Sequence, residues 1–562
     1  MLRSLLRQAV RSLPDRAQFL LKCARAALGQ NDWAAPITCV HVREQNVLDK
    51  IAGRERVRPD RKRLLFFSLQ KSPPWLEVEF SVAEALRLRG HAVHGILCDG
   101  MVPLCEMNLG RQERPPCGVC VAWLARYEDA FGFRWSRLTN FVRAADRADA
   151  ERSLIGTPDH EWSTLVVDGV EVGRLARREL QRYHRGFVFE PEADPAYRQW
   201  VVSAVLLVRL AVRLLDREQP DIVVTSSGRT LTSACLLAVA RRRGVHIVTW
   251  DTEPSYADGL VFSHNDTAVT IPLDEAWRDA SRQRLTDPQV HVLNEFIGRW
   301  ARSEITPFPY NPAPLEDAAS IRARLRLRRD APLVVVFTNS AWDMAAVDRD
   351  VGFSSMFDWL FALVEYGVAH PEIDLVIRAH PSETNVPPDL RSRTPVGPEI
   401  MKRYGPLPKH VTLVDGSSPL SSYTLAEMAQ VVMVYASRIG LEVALRGQRP
   451  WLAGETTYRG KGFTRDLTSK REMVDLLEAG TCNDVLSAEE VELAERFAYL
   501  WFFRYVTRLP LLRAAAGPFR LPTFQVLAPG GHPVIDRLCE ALVTGAPFLD
   551  LSAGRESRGP TA

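Results

Sequence analysis

The regular alternation of apolar strands and helical segments constrains the fold of this chain more than any other feature. "RLLFFSL" is followed by a helix-period run at residues 75–89, which stops at Gly90, and then by a strand at residues 93–97. "PDIVVTSS", "TLTSACLLAVARRRG" and "VHIVTWDTEP" repeat the order of strand, helix and strand. Such βαβ units predict a parallel sheet that binds ligands at the carboxyl ends of its strands.

The same alternation starts again after a proline-rich break, "TPFPYNPAP", at residues 306–314. The strands "PLVVVFTNS", "IDLVIRAHP", "HVTLVDG" and "VVMVYAS" are accompanied by helical segments, which predicts a second doubly wound domain. We therefore expect an α/β chain with two Rossmann-like domains. The expected segments are a helical extension at 1–55, a first domain at 56–310 with a cysteine-containing insertion at 98–135, a second domain at 311–490, and a helical segment with a tail at 491–562.

Length and composition narrow the classes of function. A chain of 562 residues is too long for one core, and 71 Lys and Arg against 68 Asp and Glu give a net charge of +3, so no nucleic-acid partner is expected. The most apolar stretch, residues 200–215, contains Arg209 and Arg213 and predicts a buried helix instead of a membrane span. Nine cysteines without an apolar leader segment favour a reducing compartment, so we expect a cytoplasmic protein.

Residues 2–13 have the pattern of a basic amphipathic helix, with Arg3, Arg7 and Arg11 on one face. Such a helix either packs on its own domain or lies on a membrane surface. The first arrangement is the expected one, and peripheral contact with the inner face of a membrane is the alternative.

Side chains that suit an anion follow strands of the second domain. Arg378 and His380 end the strand "IDLVIRAHP", and Ser437 follows "VVMVY" at the start of a helix predicted over residues 438–446. A helix N-terminus at the carboxyl edge of a parallel sheet offers unpaired N–H groups and partial positive charge, which suits a phosphate. Glu442, on that helix, is placed to accept hydrogen bonds from sugar or ribose hydroxyls.

Three further residues complete the predicted donor site. Thr338 and Asn339 follow the strand "PLVVVF" on the same sheet edge, and Lys461 lies in a glycine-flanked loop. Each residue type alone has a more common role, because a histidine before proline ends strands, a serine caps helices and a loop lysine is solvated. The shared sheet edge favours a pocket for a nucleotide mono- or diphosphate.

Four cysteines lie close together in the insertion: Cys98, Cys105, Cys117 and Cys120. Four thiols could hold zinc or an iron–sulfur cluster, but only the last two have the spacing of an ordinary zinc-binding pair. Thiols without a metal are the expected state, and a zinc or iron–sulfur site is the alternative.

Four segments of the second half resemble a known family. "RAHPSE", "DGSSPLSSYTL", "YASRIGLEVALRGQRP" and "YRGKGFTRDL" look like the C-terminal donor domain of bacterial capsule-polysaccharide biosynthesis proteins, which are glycosyltransferases of the GT-B fold. The resemblance covers residues 333–478. The first half is similar only through "RGHAV" and "VTWDTEPSYADG".

The resemblance implies two domains that face a cleft, with a nucleotide-activated sugar held by the C-terminal domain and an acceptor glycan by the N-terminal domain. By motif position, it implies that His380 contacts the donor phosphate, that Ser437 anchors it and that Glu442 binds nucleoside or sugar hydroxyls. It also implies transfer without a metal cofactor. Asp348 and Asp350, a D-x-D pair past "PLVVVF", are accordingly expected to be solvated loop residues.

An inverting mechanism needs a base in the N-terminal domain to deprotonate the acceptor hydroxyl. The candidates are loop carboxylates after strands, namely Asp251 and Glu253 after "VHIVTW" and Asp99 after "HGILC". Glu253 is the preferred candidate, although such carboxylates are more often solvated than catalytic. His380 is the second catalytic candidate, because stabilising the departing phosphate is part of catalysis.

The predicted function is an inverting, metal-independent glycosyltransferase that moves a sugar from a nucleotide donor to a growing surface or capsular polysaccharide, or to a lipid-linked glycan. A polyol-phosphate transferase of the teichoic-acid type would use a similar donor pocket. A nucleotide-sugar epimerase shares the architecture, but it is usually far shorter than 562 residues. A non-catalytic glycan-binding or assembly subunit is the remaining alternative.

Overall fold

A computed structural model shows the fold of most of the chain. It describes residues 60–68, 73–102, 104–106, 117–133, 135–143, 145–256, 258–302, 304–305, 316–386, 388–480, 484–509 and 524–552. The predicted helix at 2–13 and the proline-rich break at 306–314 lie outside the described residues.

The elements alternate along the chain as the sequence predicts. The strands are β1 (Arg63–Ser68), β2 (Ala92–Leu97), β3 (Ser136–Arg137), β4 (Ile222–Ser226), β5 (His246–Thr252), β6 (Gly259–His264), β7 (Leu333–Phe337), β8 (Asp374–Arg378), β9 (Val411–Val414), β10 (Val431–Val434), β11 (Pro450–Leu452), β12 (Arg465–Asp466) and β13 (Thr507–Arg508). The helices are α1 (Pro73–Leu88), α2 (Cys117–Phe131), α3 (Asp146–Arg152), α4 (Val172–His184), α5 (Pro195–Glu218), α6 (Leu231–Arg242), α7 (Asp274–Ala280), α8 (Asp287–Ala301), α9 (Ala318–Leu325), α10 (Met356–Ala369), α11 (Val396–Tyr404), α12 (Ser422–Met428), α13 (Ile439–Ala444), α14 (Lys470–Glu478), α15 (Ala488–Tyr499) and α16 (Pro533–Thr544).

Two sheets form the framework, which confirms the predicted α/β class with two parallel-sheet units. The first sheet has the order β13-β6-β5-β4-β1-β2-β3, and the second has the order β12-β11-β10-β7-β8-β9. In the first sheet, β6 is antiparallel to β5 and β13 is antiparallel to β6, whereas the remaining pairs are parallel. Every pair in the second sheet is parallel.

The central strands of the second sheet are apolar throughout because helices cover both faces of that sheet. In β7, Leu333, Val335 and Phe337 belong to one core cluster, and Val334 and Val336 belong to the cluster on the opposite face. The strand is fully buried. Its "LVVVF" run therefore lacks the alternation that a half-exposed strand would show.

The C-terminal segment returns to the first sheet. β13 pairs with β6 through Thr507 and Leu260, and α16 places Leu538 in the same core as Phe66. We call residues 60–302 with 507–552 the N-terminal lobe, and residues 316–499 the C-terminal lobe. The sequence predicted only a helical segment and tail after residue 490, since a two-residue strand carries no periodic signal.

The apolar stretch at residues 200–215 lies within α5, as a buried helix. Arg213 on this helix binds the carboxylate of Asp146 at 2.6 Å, which satisfies its charge within the fold. Among the described residues, none of the helices combines the length and apolar character that crossing a bilayer requires.

Candidate active site

The ends of three strands of the second sheet are linked by side-chain hydrogen bonds. The backbone N–H of His380, after β8, donates to Thr338 Oγ1 at 3.1 Å, and the backbone N–H of Ala436, after β10, donates to Asn339 Oδ1 at 2.9 Å. Thr338 and Asn339, after β7, are both buried. The structure therefore brings these residues to one sheet edge, where the side chains of Thr338 and Asn339 hold the neighbouring loops in place.

The imidazole of His380 is fixed and uncharged. Its Nδ1 accepts the backbone N–H of Ser382 at 3.1 Å and lies 2.6 Å from Ser382 Oγ. Burial lowers the pKa of His380 to about 4, and the nearby charge of Arg378 acts in the same direction, against the opposing effect of Asp343. Because Nδ1 accepts a hydrogen bond, the proton of the neutral ring lies on Nε2.

Arg378 uses its guanidinium to hold protein carbonyls. Nη1 donates to the carbonyl oxygens of Asp415 and, at 3.3 Å, Ala379, while Nη2 donates to that of Ser418 at 2.9 Å. Burial lowers the pKa of this buried side chain to about 10. Arg378 thus supports the loop after β9, and its predicted contact with a phosphate remains a prediction.

Ser437 lies after β10 as predicted, but the helix that follows is shorter than the sequence indicated. α13 covers six residues, Ile439–Ala444, and Arg438 occupies its N-cap position without a side-chain capping bond. The Ser437 carbonyl accepts the N–H of Gly440 at 3.3 Å and the hydroxyl of Tyr458. The predicted helix over 438–446 is therefore wrong at both ends, because residues 445–447 turn towards β11.

Glu442 and Lys461 each have a partner within the protein. Glu442 is buried, and its Oε2 accepts the hydroxyl of Tyr423 at 2.5 Å. The Lys461 ammonium pairs with Asp274 of the N-terminal lobe. Neither contact places these two residues beside His380, and their predicted roles in donor binding remain predictions.

A carboxylate of the N-terminal lobe is within electrostatic reach of the loop after β7. Asp251, at the end of β5, accepts the backbone N–H of Thr252 at 2.7 Å. Burial raises the pKa of Asp251 to about 6, and the charge of Asp343 in the C-terminal lobe raises it further, against opposing hydrogen bonds from Thr252 and Ser227. Asp343 also acts on the pKa of His380. Asp343 therefore lies within electrostatic reach of both Asp251 and His380.

Asp343 is a residue for which the sequence pattern indicated no role. It ends the stretch "FTNSAWD", six residues beyond β7, and its Oδ1 accepts the backbone N–H of Ala345 at 2.9 Å. The signal available was a carboxylate in the loop of the same strand that supplies Thr338 and Asn339. Because a loop has no periodic pattern, the sequence does not show where a side chain this far beyond the end of β7 lies.

Glu253, the preferred base candidate, is at the centre of a buried contact between the lobes. Its Oε1 accepts the backbone N–H of Ser255 at 3.0 Å, the hydroxyl of Ser255 at 2.6 Å and Arg438 Nη1 at 3.2 Å, while Oε2 accepts Trp501 Nε1 at 3.3 Å. Arg438 also lies over the ring of Trp300, 3.7 Å from its centroid. Both oxygens of Glu253 are therefore engaged by protein donors, and its predicted role as the base remains a prediction.

A cavity of about 170 Å³ lies between the lobes. The N-terminal lobe contributes residues of α4 and the loop after it, and the C-terminal lobe contributes the loop after β7 with the start of α10 and Tyr435. The lining residues are Arg174, Arg177, Gln181, Phe187, Ser340, Ala341, Ala346, Val347, Asp348, Asp350, Ser354, Ser355, Met356 and Tyr435.

The D-x-D pair lines this cavity. The expectation of a solvated residue is wrong for Asp348, which guanidinium groups surround, whereas Asp350 is exposed. Asp348 Oδ2 lies 3.3 Å from Arg174 Nη1 and 3.6 Å from Arg178 Nη1. Asp350 accepts the hydroxyl of Tyr435, and partial burial raises the pKa of Asp350. The loop after β7 folds back against α4, which replaces solvent around Asp348 with guanidinium groups.

The metal site at the four cysteines remains a prediction. Cys98 and Cys120 are buried and Cys105 is partly buried, whereas the side chain of Cys117 lies outside the described residues. In the part of the chain that the structure describes, no group of three or more His, Cys, Asp or Glu side chains is placed to hold a metal ion. Since Cys117 is missing from that set, the four-cysteine site is not tested.

Comparison with known proteins gives likeness in fold only. No protein-family model matches the chain, and no curated protein matches it. Among solved structures, KpsC of Thermosulfurimonas dismutans, a beta Kdo 2,7 transferase, has a TM-score of 0.31 and 14% identity over 55% of this chain and 86% of that one.

Two other solved structures cover more of the chain at lower TM-scores. The UDP-GlcNAc 2-epimerase of Neisseria meningitidis bound to UDP-GlcNAc has a TM-score of 0.24 and 11% identity over 77% of this chain and 98% of that one. The calicheamicin glycosyltransferase CalG4 has a TM-score of 0.24 and 13% identity over 78% and 94%. What the chain does must therefore be argued from its own residues.

Proposed function

We propose that the chain is a glycosyltransferase that moves a sugar from a nucleotide donor to a hydroxyl of a growing surface polysaccharide or lipid-linked glycan. One observation carries the proposal: the charge of Asp343 acts both on Asp251, an N-terminal-lobe carboxylate whose pKa burial raises to about 6, and on His380, a C-terminal-lobe imidazole whose pKa burial lowers to about 4. A base and a hydrogen-bond donor on opposing lobes are what a single displacement between two bound substrates requires.

Asp251 acts as the general base. The acceptor oxygen bonds to the anomeric carbon while the bond from that carbon to the phosphate oxygen breaks, and the hydroxyl proton passes to Asp251. A carboxylate with a pKa near 6 is ionised at neutral pH and still basic enough to take that proton, which is the compromise that general-base catalysis favours. Attack opposite the leaving group inverts the anomeric carbon.

His380 assists the leaving group. With Nδ1 accepting from Ser382, its Nε2–H donates to a phosphate oxygen of the departing nucleotide. Thr338 and Asn339 hold the loops that orient His380 and the chain at Ala436. The side chain of Ser437, next to Ala436, supplies a hydroxyl for the phosphate at the same edge. The reaction proposed here uses protein hydrogen bonds and requires no metal.

Two variants with a matched control test this assignment. Asp251→Asn removes the base but keeps the shape of the side chain, so kcat/KM falls by about 10²- to 10⁴-fold while nucleotide binding persists. His380→Ala weakens both transfer and nucleotide binding. Asp266→Asn, which changes a loop carboxylate paired with Arg241 at 2.7 Å, keeps full activity. Full activity of Asp251→Asn contradicts the proposed base.

Thermal shift with UDP, GDP, CMP and CDP identifies the donor nucleotide. A ligand at 100 times its Kd stabilises the folded protein by about 2.7 kcal/mol, so the correct nucleotide raises the Tm. Transfer to an acceptor is then assayed with the corresponding nucleotide sugars. Nucleotide binding with isomerised sugar and no acceptor product identifies an epimerase, and the absence of any nucleotide shift favours a glycan-binding subunit.

A further inference from the structure

Arg178 is a buried guanidinium with unused hydrogen-bonding capacity. It lies on α4 with a relative exposure of 4%, and its Nε and Nη2 find no acceptor among the described residues. Its one acidic neighbour on the cavity side is Asp348, whose Oδ2 lies 3.6 Å from Nη1. A buried cation whose N–H groups lack acceptors is costly, so the position calls for an additional acceptor.

The charges around Arg178 do not balance. Burial lowers the pKa of Arg229 to about 9. The charges of Arg178, Arg349 and Arg174 lower this pKa further, and the charge of Asp348 opposes them. Burial and Arg174 likewise lower the pKa of Arg178, against the opposing charges of Asp348 and Glu179. Four guanidinium groups therefore converge on a region in which Asp348 is the shared carboxylate.

Glu179, Arg229 and Arg349 already have hydrogen-bond partners within the protein. Arg229 donates from Nε to the carbonyl of Met344 at 3.0 Å and from Nη2 to that of Val347, and Arg349 donates to the carbonyl of Ala345 at 3.1 Å. Glu179 accepts the backbone N–H of Leu231 at 3.1 Å and Arg182 Nη1 at 2.9 Å. These contacts fix the loop after β7 against the N-terminal lobe.

Arg178 is connected to the cavity through Asp348, and the cavity wall formed by α4 is lined with donors. Arg174, Arg177 and Gln181 lie three and four residues apart and share one face of α4, which forms the wall on the N-terminal side. On the other side, the buried hydroxyl of Ser340 also finds no partner among the described residues. A volume of about 170 Å³ exceeds what a single oxyanion group needs, so part of an attached sugar fits as well.

We propose that this cavity binds an oxyanion of the acceptor, a phosphate or a carboxylate, between Arg174 and Arg177 of α4 and Ser340, which line it, with Arg178, the partner of the lining residue Asp348, as a further donor. The acceptor is then an acidic glycan or a phosphorylated carrier. This inference rests on the proposed function, in which the N-terminal lobe receives the acceptor and the sheet edge at His380 receives the donor. Planar guanidinium groups form paired hydrogen bonds with either oxyanion.

Isothermal titration of the full chain with inorganic phosphate and, separately, with glucuronate tests the site and identifies its ligand. We expect one of the two to bind to the wild type, and Arg178→Met to raise its Kd about tenfold or more, because charge-assisted hydrogen bonds are lost. Arg177→Gln, which changes a partly exposed lining residue, weakens binding less and serves if Arg178→Met does not fold. Arg147→Gln alters an exposed arginine paired with Glu151 at 3.2 Å and leaves the Kd unchanged.

The two arms give distinct outcomes. Binding of phosphate alone identifies a phosphorylated acceptor, and binding of glucuronate alone identifies an acidic sugar. Binding of neither, or equal binding by the wild type and both variants at α4, overturns the proposal. A nucleotide that displaces the oxyanion competitively also overturns it, since the cavity would then belong to the donor. If no nucleotide binds in the thermal-shift panel while the oxyanion does, the proposed donor fails and the anion site stands.

Discussion

The two lobes differ in how they satisfy the start of the helix that follows a central strand. In the N-terminal lobe, α6 follows β4, and the N–H groups of Leu231 and Thr232 donate to Glu179 Oε2 at 3.1 Å and Glu106 Oε2 at 3.2 Å. Both carboxylates are buried, and Arg182 binds Glu179 at 2.9 Å and the carbonyl of Glu106. The helix start is therefore occupied by acids of its own lobe.

In the C-terminal lobe, α13 follows β10 and has no such cap. The N-cap position is Arg438, and its guanidinium binds Glu253 of the N-terminal lobe. One sheet edge is therefore completed locally, whereas the other is completed by the contact between the lobes. Similar strand–helix alternation thus gives an edge closed to anions in one lobe and an edge that depends on its neighbour in the other.

The largest expected effect comes from removing the acid that joins the lobes. Glu253→Ala deprives Arg438, Ser255 and Trp501 of their shared acceptor, and breaking a buried ion pair typically costs about 3–5 kcal/mol of unfolding free energy. Because the Arg438 side chain keeps 21% of its exposure, we expect the lower end of that range. Urea unfolding followed by tryptophan fluorescence measures the loss.

The control for this variant is Glu304→Ala, which removes an exposed carboxylate paired with Arg302 at 2.5 Å. Its unfolding midpoint should equal that of the wild type. If Glu253→Ala unfolds at the same urea concentration as this control, the contact between the lobes is not what completes the C-terminal edge.

The next effect concerns the edge that is closed within its own lobe. Glu179→Ala removes both the acceptor for Leu231 and the partner of Arg182, so we expect a loss of about 2–3 kcal/mol in unfolding free energy. Glu179→Gln keeps an acceptor oxygen for the helix and should cost about half as much. Both variants should leave nucleotide-induced stabilisation intact, because α6 carries none of the residues proposed to bind the donor. Equal losses in the two variants would show that the charge alone matters.

Periodicity was sufficient to predict the two sheets, but not the contacts between the lobes. The run "LVVVF" identified β7 because a strand covered by helices on both faces is apolar throughout. Glu253 and Asp251 are two residues apart in one stretch, and the sequence alone does not show that protein donors engage both oxygens of Glu253. What separates them is Arg438, which lies 185 residues away along the chain and approaches Glu253 only in the fold.

A smaller effect is expected in the pH dependence of transfer. Asp251 must be ionised to accept a proton, and its pKa is raised to about 6, so kcat/KM should fall about tenfold for each pH unit below 6 and level off above 7. His380, with a pKa of about 4, stays neutral across this range and adds no second limb. The residual activity of Asp251→Asn should lose the acid limb. An unchanged limb in that variant would assign the titration to another group.

The smallest effect is expected at Lys461, a further cationic link between the lobes. Its ammonium is buried, but its partner Asp274 is 84% exposed, and ion pairs open to solvent contribute at most about 1 kcal/mol. Lys461→Ala should therefore lower the unfolding free energy by less than about 1 kcal/mol, far less than Glu253→Ala, and should leave the Tm shift with nucleotide unchanged. Loss of the nucleotide shift with little loss of stability would instead place Lys461 in the donor site, as the sequence alone predicted, and would mean that the pair with Asp274 opens when the nucleotide binds.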